Sequence, residues 1–439
     1  MTQIAEKRSS LMSALDRRPQ GGPRWLETLR AQAASRFAAL GVPTVRDEEW
    51  RFTNAAPIAS AGFELAADVP VSTAEVDGLP YGTAPLRLVL VNGRIDRALS
   101  RLDTLPRGVV ATSLAEAIDT HADIVERYLG RAAVFQTRSF VALNTALAND
   151  GAFVYVPDGL AVEPPLQLLC VSAAGDRPSM NQPRVLVVAG AGSQVRLAET
   201  YVGAAGEVYF TNGVTEVFAG ENAVVDHYKV QHDSFEAFHV GSMHVNLSRS
   251  ATFSSHSFAV GGRFVRNDVV AVLDGEGGEC TLNGLYLADG ERLVDTHTEI
   301  DHARAHCASH EVYKGILGGT ARAVFNGKIV VRPDAQKTDA KQTNRALLLS
   351  DGATINTKPQ LEIFADDVKC THGAAIGQLD DDAIFYLRAR GLTFAEARDM
   401  LIHAFAGDIL ARVKIDALRA ALEAELFAQL ARDLEEAVA

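Results

Sequence analysis

The sequence VLVVAGAGSQVRLAET, which begins at Val185, decides the fold of this chain because its pattern returns four more times. It joins a short β-branched run to a break rich in small and polar residues, and a second alternating run follows. The later copies are VTEVFAGENAVVDHYKV from Val214, MHVNLSRSATFSSHSF from Met243, VVAVLDGEGGECTLNGLYL from Val269 and HTEIDHARAHCASHEVYKGI from His297. The period is roughly 25 to 29 residues, which is typical of repeat architectures.

The repeated unit cannot form a core alone. One copy leaves a face of its strands uncovered, so successive copies must stack on one another. Between the runs, no segment places apolar residues at the three- and four-residue spacing of a helix, which argues against helical crossovers and a doubly wound sheet. The pattern predicts a right-handed parallel β-helix, with an irregular β-sandwich as the alternative.

The composition is that of an ordinary soluble globular protein, with 47% hydrophobic and 22% charged residues among 439. A chain of this length exceeds what one core usually holds, so we expect two or three domains. The net charge of −13 argues against nucleic acid or an anionic membrane as a main partner. The first residues carry charges throughout, and no later apolar run approaches the length of a membrane span, so we expect a cytosolic protein.

Helical patterns flank the β pattern on both sides. We predict a mainly β protein with helical ends: an N-terminal helical and mixed region over residues 1–150, a β-helix core over 151–378 and a C-terminal helical domain over 379–439. The predicted N-terminal helices cover residues 9–16, 23–40, 113–129 and 140–148.

Two shorter segments complete the prediction. The segment VRDEEWRFTN at residues 45–54 has the character of a connector whose Trp50 and Phe52 pin the preceding helix to the body. After residue 378, capping residues such as Thr393, followed by Glu396, introduce two or three helices.

Histidines and a cysteine cluster near the end of the fifth copy. His302, His306 and His310 would share one face of a helix, as in helical metal sites, with Cys307 beside them. On a strand the same residues spread along about 27 Å, too far for one ion. Because the stretch belongs to a β copy, we favour exposed or hydrogen-bonded histidines over a metal site.

Cys370 and His372 form the second candidate. They are two positions apart, so on a strand they point to the same side and present a thiolate and an imidazole together. Two ligands make half a site, which would fit a metal or cluster shared across an interface, although a buried cysteine and a hydrogen-bonded histidine are the simpler explanation. Cys170, Cys280 and Cys307 lie far apart in the sequence and form no CxxC pair.

Two charged groups have simpler explanations than catalysis. A basic run would suit a solvated face or an anion site, and it comprises Lys328, Arg332, Lys337, Lys341 and Arg345. Several aspartates could be paired carboxylates of a sugar-cleaving enzyme, but a strand start and a helix cap also explain them, and they are Asp366, Asp367, Asp380, Asp381 and Asp382. The sequence contains no GxSxG elbow and no P-loop.

The run FNGKIVVRPDAQKTDAKQTNRALLLSDGATINTKPQLEIFADDVKCTHGAAIGQLDDDAIFYLRARGL, residues 325–392, strongly resembles the SufB/SufD family of iron–sulfur cluster assembly proteins. The resemblance extends to RNDVVAVLDGEGGECTLNGLYL, HCASHEVYKGIL and LGVPTVRDEEWRFTN. Within the family the chain is most like the SufD branch, because its first cysteine is Cys170 and because Thr371 and Gly373 flank the histidine of the Cys-x-His-Gly segment.

The resemblance implies a non-catalytic, SufD-like subunit of a cytosolic complex that builds and transfers iron–sulfur clusters. Its implied partners are a SufB-like scaffold, which forms a heterodimer with it, and a SufC-like ABC ATPase. His372, with Cys370 near it, would lie at the seam of two β-helices and share a transient cluster with the partner chain. The ATPase contact is implied in the C-terminal helices, which we assign to Phe385, Leu387, Leu392, Met400, Ile402 and Phe405.

Other interpretations accompany this one. For some family members the resemblance also implies a flavin in the complex, and for this chain without its partner it leaves a homodimer as an alternative. The chain could instead be the SufB-like scaffold itself. From the residues alone, a β-helix enzyme acting on carbohydrates and a purely structural β-helix are the alternatives from other classes.

Overall fold

The computed structural model describes residues 10–438 apart from residues 174 and 176, and for residues 430–438 it describes the helix without its side chains. Ser9, the first residue of one predicted helix, and Ala439 lie outside the described residues. Helices occupy both ends of the described chain, and they are α1 (Ser10–Ala14), α2 (Arg24–Leu40), α3 (Ala56–Ser60), α4 (Thr73–Gly78), α5 (Leu114–Thr120), α6 (Ala122–Tyr128), α7 (Ser139–Leu147), α8 (Asp381–Arg388), α9 (Phe394–Leu410) and α10 (Asp416–Val438).

Strands fill the middle of the chain. They are β1 (Glu64–Leu65), β2 (Arg87–Val91), β3 (Arg94–Arg101), β4 (Val110–Ser113), β5 (Gly151–Val156), β6 (Ala161–Ser172), β7 (Ser179–Asn181), β8 (Arg184–Ala189), β9 (Gln194–Gly203), β10 (Tyr209–Ala219), β11 (Val224–His232), β12 (Phe238–Leu247), β13 (Thr252–Ala259), β14 (Phe264–Leu273), β15 (Glu279–Ala288), β16 (Leu293–His302), β17 (Ala308–Leu317), β18 (Arg322–Val331), β19 (Asp339–Leu348), β20 (Thr354–Ile363) and β21 (Lys369–Gly377).

The strands form a parallel β-solenoid, as the repeat predicts. From β5 onward the chain alternates between two sheets, with the short β7 as an extra strand. Sheet A runs in space from β5 through β8, β10, β12, β14, β16 and β18 to β20, and sheet B runs from β6 through β9, β11, β13, β15, β17 and β19 to β21. The solenoid therefore has about eight turns, more than the five copies recognised in the sequence.

One corner of the solenoid explains the small and polar break in each copy. Where the chain passes from sheet A to sheet B, one residue of the turn adopts a left-handed conformation, which glycine and asparagine tolerate best. The backbone N–H of His306, for example, donates to the carbonyl of Gln336 in the next turn at 2.8 Å. The left-handed positions stack from turn to turn, and they are Gly192, Asn222, Ser250, Gly277, His306 and Lys337.

The N-terminal region closes the first turn of the solenoid and covers sheet A. Strand β4 pairs with β5, and the hairpin of β2 and β3 extends sheet B beyond β6. Helices α2 and α7 pack on the outer face of sheet A, where Phe37 and Phe140 share a hydrophobic cluster with Phe210 and Phe238. The predicted helix over residues 113–129 is two helices, α5 and α6, because His121 leaves the helical region with φ −133° and ψ 40°.

The connector at residues 45–54 is held by one of its two predicted anchors. The ring of Trp50 lies 5.4 Å from that of Phe140, and the guanidinium of Arg266 lies 4.5 Å above Trp50. Phe52 is 47% exposed, so the prediction that it also pins the segment is wrong. The nearby hydroxyl of Thr53 donates to the buried carboxylate of Asp295 at 2.5 Å.

The C-terminal helices cover the outer face of sheet B. Ile402, Ile409 and Leu410 are buried in one hydrophobic cluster with strand residues that include Tyr228 and Leu285. Polar contacts reinforce this packing, since the ammonium of Lys314 donates to the carbonyl of Phe405 at 2.7 Å and Arg412 donates to Asn283 at 2.6 Å. The tail and the solenoid therefore share a core.

We expect Ile402→Ala to destabilise the protein by about 2 to 5 kcal/mol, because Ile402 is 0% exposed and its removal leaves a cavity between α9 and sheet B. Met400→Ala is the matched control: Met400 is two residues away and 49% exposed, so the change should cost less than about 0.5 kcal/mol. Urea denaturation of both variants measures the difference. Equal losses for both would contradict the packing described here.

Candidate functional site

Cys370 and His372 lie on β21, the last strand of sheet B. In the parallel ladder Cys370 pairs with Ala340 and His372 with Gln342, both on β19. Cys370 packs against an interior cluster that contains Ala340 and Val331, so its side chain points into the solenoid. Because side chains alternate along a strand, His372 is on the same inner side. The sequence prediction that the two residues share one face is therefore consistent with the register.

This end of the solenoid is open. Strands β20 and β21 end the two sheets, and within the described part of the chain neither has a further strand on its outer edge. His372 is exposed although it points along the solenoid interior, because no next turn covers it. Large apolar side chains are exposed on or directly after these two strands, with Phe364 at 62%, Ile376 at 47% and Ile363 at 40%. Unpaired strand edges beside exposed apolar side chains are typical of surfaces that bind another chain.

The chemistry available at the open end is incomplete on its own. Partial burial raises the pKa of the Cys370 thiol, which keeps it protonated at neutral pH. No group of three or more histidine, cysteine or acidic residues able to hold a metal ion is found among the described residues. Iron–sulfur clusters usually take four protein ligands. Cys370 and His372 could supply part of such a set, and the remainder would come from another chain.

A buried polar side-chain pair lies directly behind His372. Gln342 is 2% exposed, and its amide nitrogen donates to the carboxyl of Glu311 at 2.8 Å. Glu311 pairs in the ladder with Gln342, so the three side chains occupy successive turns of one column. Burial raises the pKa of Glu311 to about 7, although the Gln342 amide opposes the shift. Sequence reasoning did not identify Glu311 or Gln342, because only the strand register places them beside His372.

The histidines near residue 306 do not form a site. His302 is the last residue of β16 and His310 lies within β17, with a tight turn between them, so the three histidines share neither one helix face nor one strand. The buried imidazole of His302 hydrogen-bonds Ser309 at 2.8 Å, and burial lowers its pKa to about 4. His306 occupies the left-handed corner of the turn. The thiol of Cys307 donates to the carbonyl of Gly275 at 3.3 Å.

The basic run is mostly paired with carboxylates. Lys328 lies 3.0 Å from Glu362, and Arg332 lies 2.6 Å from Asp301. The run also spans two sheets, since Lys328 belongs to β18 of sheet A and Lys341 to β19 of sheet B. Two further ion pairs complete this pattern, and they are Lys337 with Asp367 and Lys341 with Asp339. These contacts favour the solvated-face interpretation.

The aspartates have structural positions. The carboxylate of Asp380 accepts hydrogen bonds from the backbone of Asp382 and Ala383, so it caps α8. Asp381 and Asp382 lie in the first turn of the same helix, where negative charge is favourable. Asp367 pairs with Lys337, and Asp366 is exposed beside it.

The six tail residues assigned to the ATPase contact occupy different environments. Phe385 is 73% exposed and Met400 is 49% exposed. Ile402, by contrast, is fully buried against sheet B, so its assignment to a docking surface is corrected to a packing role. The remaining residues are half-buried, and they are Leu387, Leu392 and Phe405. Tyr386 and Phe394 are also large and exposed, at 56% and 54%, and the sequence analysis did not single them out. Tyr386 directly follows Phe385, and Phe394 directly follows the helix cap Thr393, so their positions could have indicated them.

We call Phe385, Tyr386, Phe394 and Met400 the tail patch. All four belong to α8 or the first half of α9. Exposed aromatic and methionine side chains of this size are uncommon on a surface that faces only water, and they are enriched at protein interfaces.

No described helix is both long enough and apolar enough to cross a membrane.

The fold places the chain in the class of parallel β-solenoid proteins, here with β20 and β21 as edge strands at the C-terminal end. Two family models divide the sequence between them: the SufBD core domain of SUF system FeS cluster assembly matches residues 170–405, and the SufBD protein N-terminal region matches residues 19–168. The chain belongs to the SufBD family.

Curated relatives match over most of both chains. The iron-sulfur cluster assembly SufBD family protein slr0076 of Synechocystis is 35% identical over 403 residues, which cover 90% of this chain and 88% of the relative. The iron-sulfur cluster assembly protein SufD of Escherichia coli is 31% identical over 381 residues, covering 86% and 87%. SufD of Bacillus subtilis is 29% identical over 413 residues, covering 90% and 92%.

We expect the stability of the protein to depend on pH through Glu311. Its folded carboxyl keeps a proton up to about pH 7, whereas the unfolded chain loses it near 4.5. The folded state therefore binds more protons in this window, and its free energy of unfolding falls as pH rises, by up to about 3 kcal/mol.

Glu311→Gln has no titrating group at this position and should not lose this stability as the pH rises. From pH 4.5 to pH 7.5 its free energy of unfolding should therefore rise, relative to that of the native protein, by up to about 3 kcal/mol. Urea denaturation at both pH values measures the gain. Glu279→Gln, an exposed carboxylate at the start of β15, is the control and should leave the pH dependence unchanged. A Glu311→Gln variant whose pH dependence equals that of the native protein would contradict the assignment.

Proposed function

We propose that this chain is a SufD-like subunit of a cytoplasmic complex that assembles iron–sulfur clusters. In this proposal it pairs with a SufB-like scaffold and with a SufC-like ABC ATPase, and it catalyses no reaction of its own. Relatives named SufD in two bacteria support it. The observation that carries the proposal is the uncovered last strand, which presents Cys370 and His372 at the open end.

The open end is the surface proposed for the scaffold. Two neighbouring strand edges, β20 and β21, leave backbone groups that a second β-solenoid could pair with. Phe364 and Ile376 supply exposed apolar area beside these edges. A partner that continued the ladders would bury this area and remove water from around His372.

The cluster is the cargo of the complex, and His372 is proposed as one of its transient ligands. An imidazole binds iron through a ring nitrogen of its neutral form. Cys370 lies two residues away on the same side of β21, nearer the interior cluster. Because two ligands do not complete a cluster site, the scaffold would supply the others.

The tail patch is the surface proposed for the ATPase. Helix α9 packs on the outer face of sheet B, and α8 packs on α9. Nucleotide-driven movement of the ATPase would then act on α8 and α9, and through the core that α9 shares with sheet B on the strands that lead to β21. The two partners would bind different parts of the chain.

We expect the double variant Phe385→Ser, Met400→Ser to retain at least about tenfold less of the ATPase in co-purification, because exposed aromatic and methionine anchors dominate the affinity of interfaces. The same variant should keep the scaffold. Phe364→Ser should have the opposite effect, losing the scaffold and keeping the ATPase. Val134→Ser, 49% exposed in the N-terminal region, is the control that should keep both.

These surface variants are preferable to a truncation at Gly377. The truncation would also uncover Tyr228 and Leu285, which the tail buries, so lost binding could reflect misfolding. If the native protein retains neither partner from cells that express both, the proposed complex is wrong. If the double variant retains the ATPase at the native level, the tail patch is not its docking surface.

His372→Ala should leave the complex intact and lower cluster formation at least about tenfold, because it removes a proposed iron ligand. The measurements are iron and sulfide content and visible absorbance of the purified complex. Thr371→Ala is the control, since Thr371 is also exposed on β21 but faces the opposite side. Normal cluster content in His372→Ala would show that His372 is not an iron ligand, and the open end would then be a structural interface only.

A further inference from the structure

Gln342, the residue behind His372, uses one of its two polar side-chain atoms in a hydrogen bond and leaves the other without a partner. The amide nitrogen of Gln342 donates to Glu311, and its carbonyl oxygen is buried with no hydrogen-bond partner in the structure. A buried oxygen without a partner costs free energy, so it is a position where a donor is expected to bind. The residue next to Gln342 in the ladder, toward the open end, is His372.

The column of Glu311, Gln342 and His372 is built so that it can carry a chain of hydrogen bonds. Adjacent strands lie about 4.8 Å apart, so side chains at paired positions of a parallel ladder are direct neighbours. Glu311 and Gln342 are 1% and 2% exposed, which fixes the first two members in place. His372, on the uncovered strand, is the exposed member of the column.

A glycine on the opposite sheet provides the space for this column. Gly327 lies on β18 across the interior, and a Cβ atom at that position would overlap the amide nitrogen of Gln342. The conformation of Gly327 is not left-handed, so space rather than backbone geometry is the reason for a glycine there. The interior is therefore shaped around the Gln342 amide.

From this arrangement we infer that Gln342 is a positioning residue for His372. Its carbonyl oxygen accepts the inner N–H of the imidazole when the partner covers the open end, and Glu311 holds the Gln342 amide in the orientation that presents this oxygen. Histidines that bind metals commonly donate their other N–H to a carbonyl or carboxylate, which sets the ring orientation and the free nitrogen. The outer nitrogen of His372 then faces the partner and the iron. This inference rests on the proposed function.

The inference predicts specific effects in the complex with the scaffold and the ATPase. Gln342→Met keeps a similar shape without the acceptor, and it should lower cluster formation about 10- to 100-fold while the complex stays intact. The double variant Glu311→Gln, Gln342→Glu exchanges the two side chains, so an amide N–H at position 311 still holds an acceptor oxygen at position 342, and it should restore most of the loss. Gly327→Ala displaces the amide without changing Gln342 itself, and it should reproduce the effect of Gln342→Met.

A spectroscopic measurement separates positioning from a structural role. Complexes prepared with 15N-labelled histidine should show nitrogen hyperfine coupling to the reduced cluster, and Gln342→Met should weaken or abolish it in the clusters that still form. Asn344→Leu is the matched control: Asn344 is also buried on β19, but its neighbour on β21 is Ala374. That variant should leave the coupling and the cluster yield unchanged.

Each outcome decides the inference. Native yield and coupling in Gln342→Met would overturn it, as would equal losses in Asn344→Leu or a failure of the Glu311→Gln, Gln342→Glu double variant to restore cluster formation. If Gln342→Met does not fold, Gly327→Ala provides the same test, and native behaviour of that variant overturns the inference. If His372→Ala already leaves cluster formation unchanged, the proposed role of His372 fails first and this inference fails with it.

Discussion

The parallel ladder of backbone hydrogen bonds is the constraint on which the rest of this structure depends. Every strand must find a neighbour on both edges, and in a stack of turns this is satisfied everywhere except at the two ends. At the N-terminal end, β4 and the β2–β3 hairpin add antiparallel pairings beyond the first turn, and β4 and β3 are the edge strands there. At the C-terminal end of the described chain the parallel ladders stop at β20 and β21 without an added strand, and this is where Cys370 and His372 lie. The proposed site therefore lies at the end where the parallel ladders themselves are left open.

The faces of the sheets follow the same logic. Both strands of a turn have one face inside the solenoid and one outside, and parallel sheets are stable when both faces are buried. The N-terminal helices cover the outside of sheet A, and the C-terminal helices cover the outside of sheet B. Helices and solenoid thus form one structure, although their sequence patterns look independent. The exposed apolar side chains that remain belong in part to the open end and the tail patch.

The sequence was most informative where a pattern is local. Alternation within each copy predicts the strands, and the two-residue spacing of Cys370 and His372 predicts their common face. Burial of Ile402 was not predictable, because the helical spacing of the tail shows that it has an apolar face but not that sheet B covers it. The column behind His372 was also inaccessible, since Glu311, Gln342 and His372 are about thirty residues apart and only the register of three strands brings them together.

The packing of the tail also has a mechanical consequence. The cluster under α9 and α10 includes residues from β11, β13, β15, β17 and β19, represented by Tyr228, Phe258, Leu285, Ile316 and Leu347. A force applied to these helices is therefore shared among five strands side by side and does not peel a single strand from the edge. To separate the tail from the solenoid, such a force would have to break the contacts with all five strands at once. A pull on the tail would therefore move these strands together and would not unfold the solenoid one strand at a time.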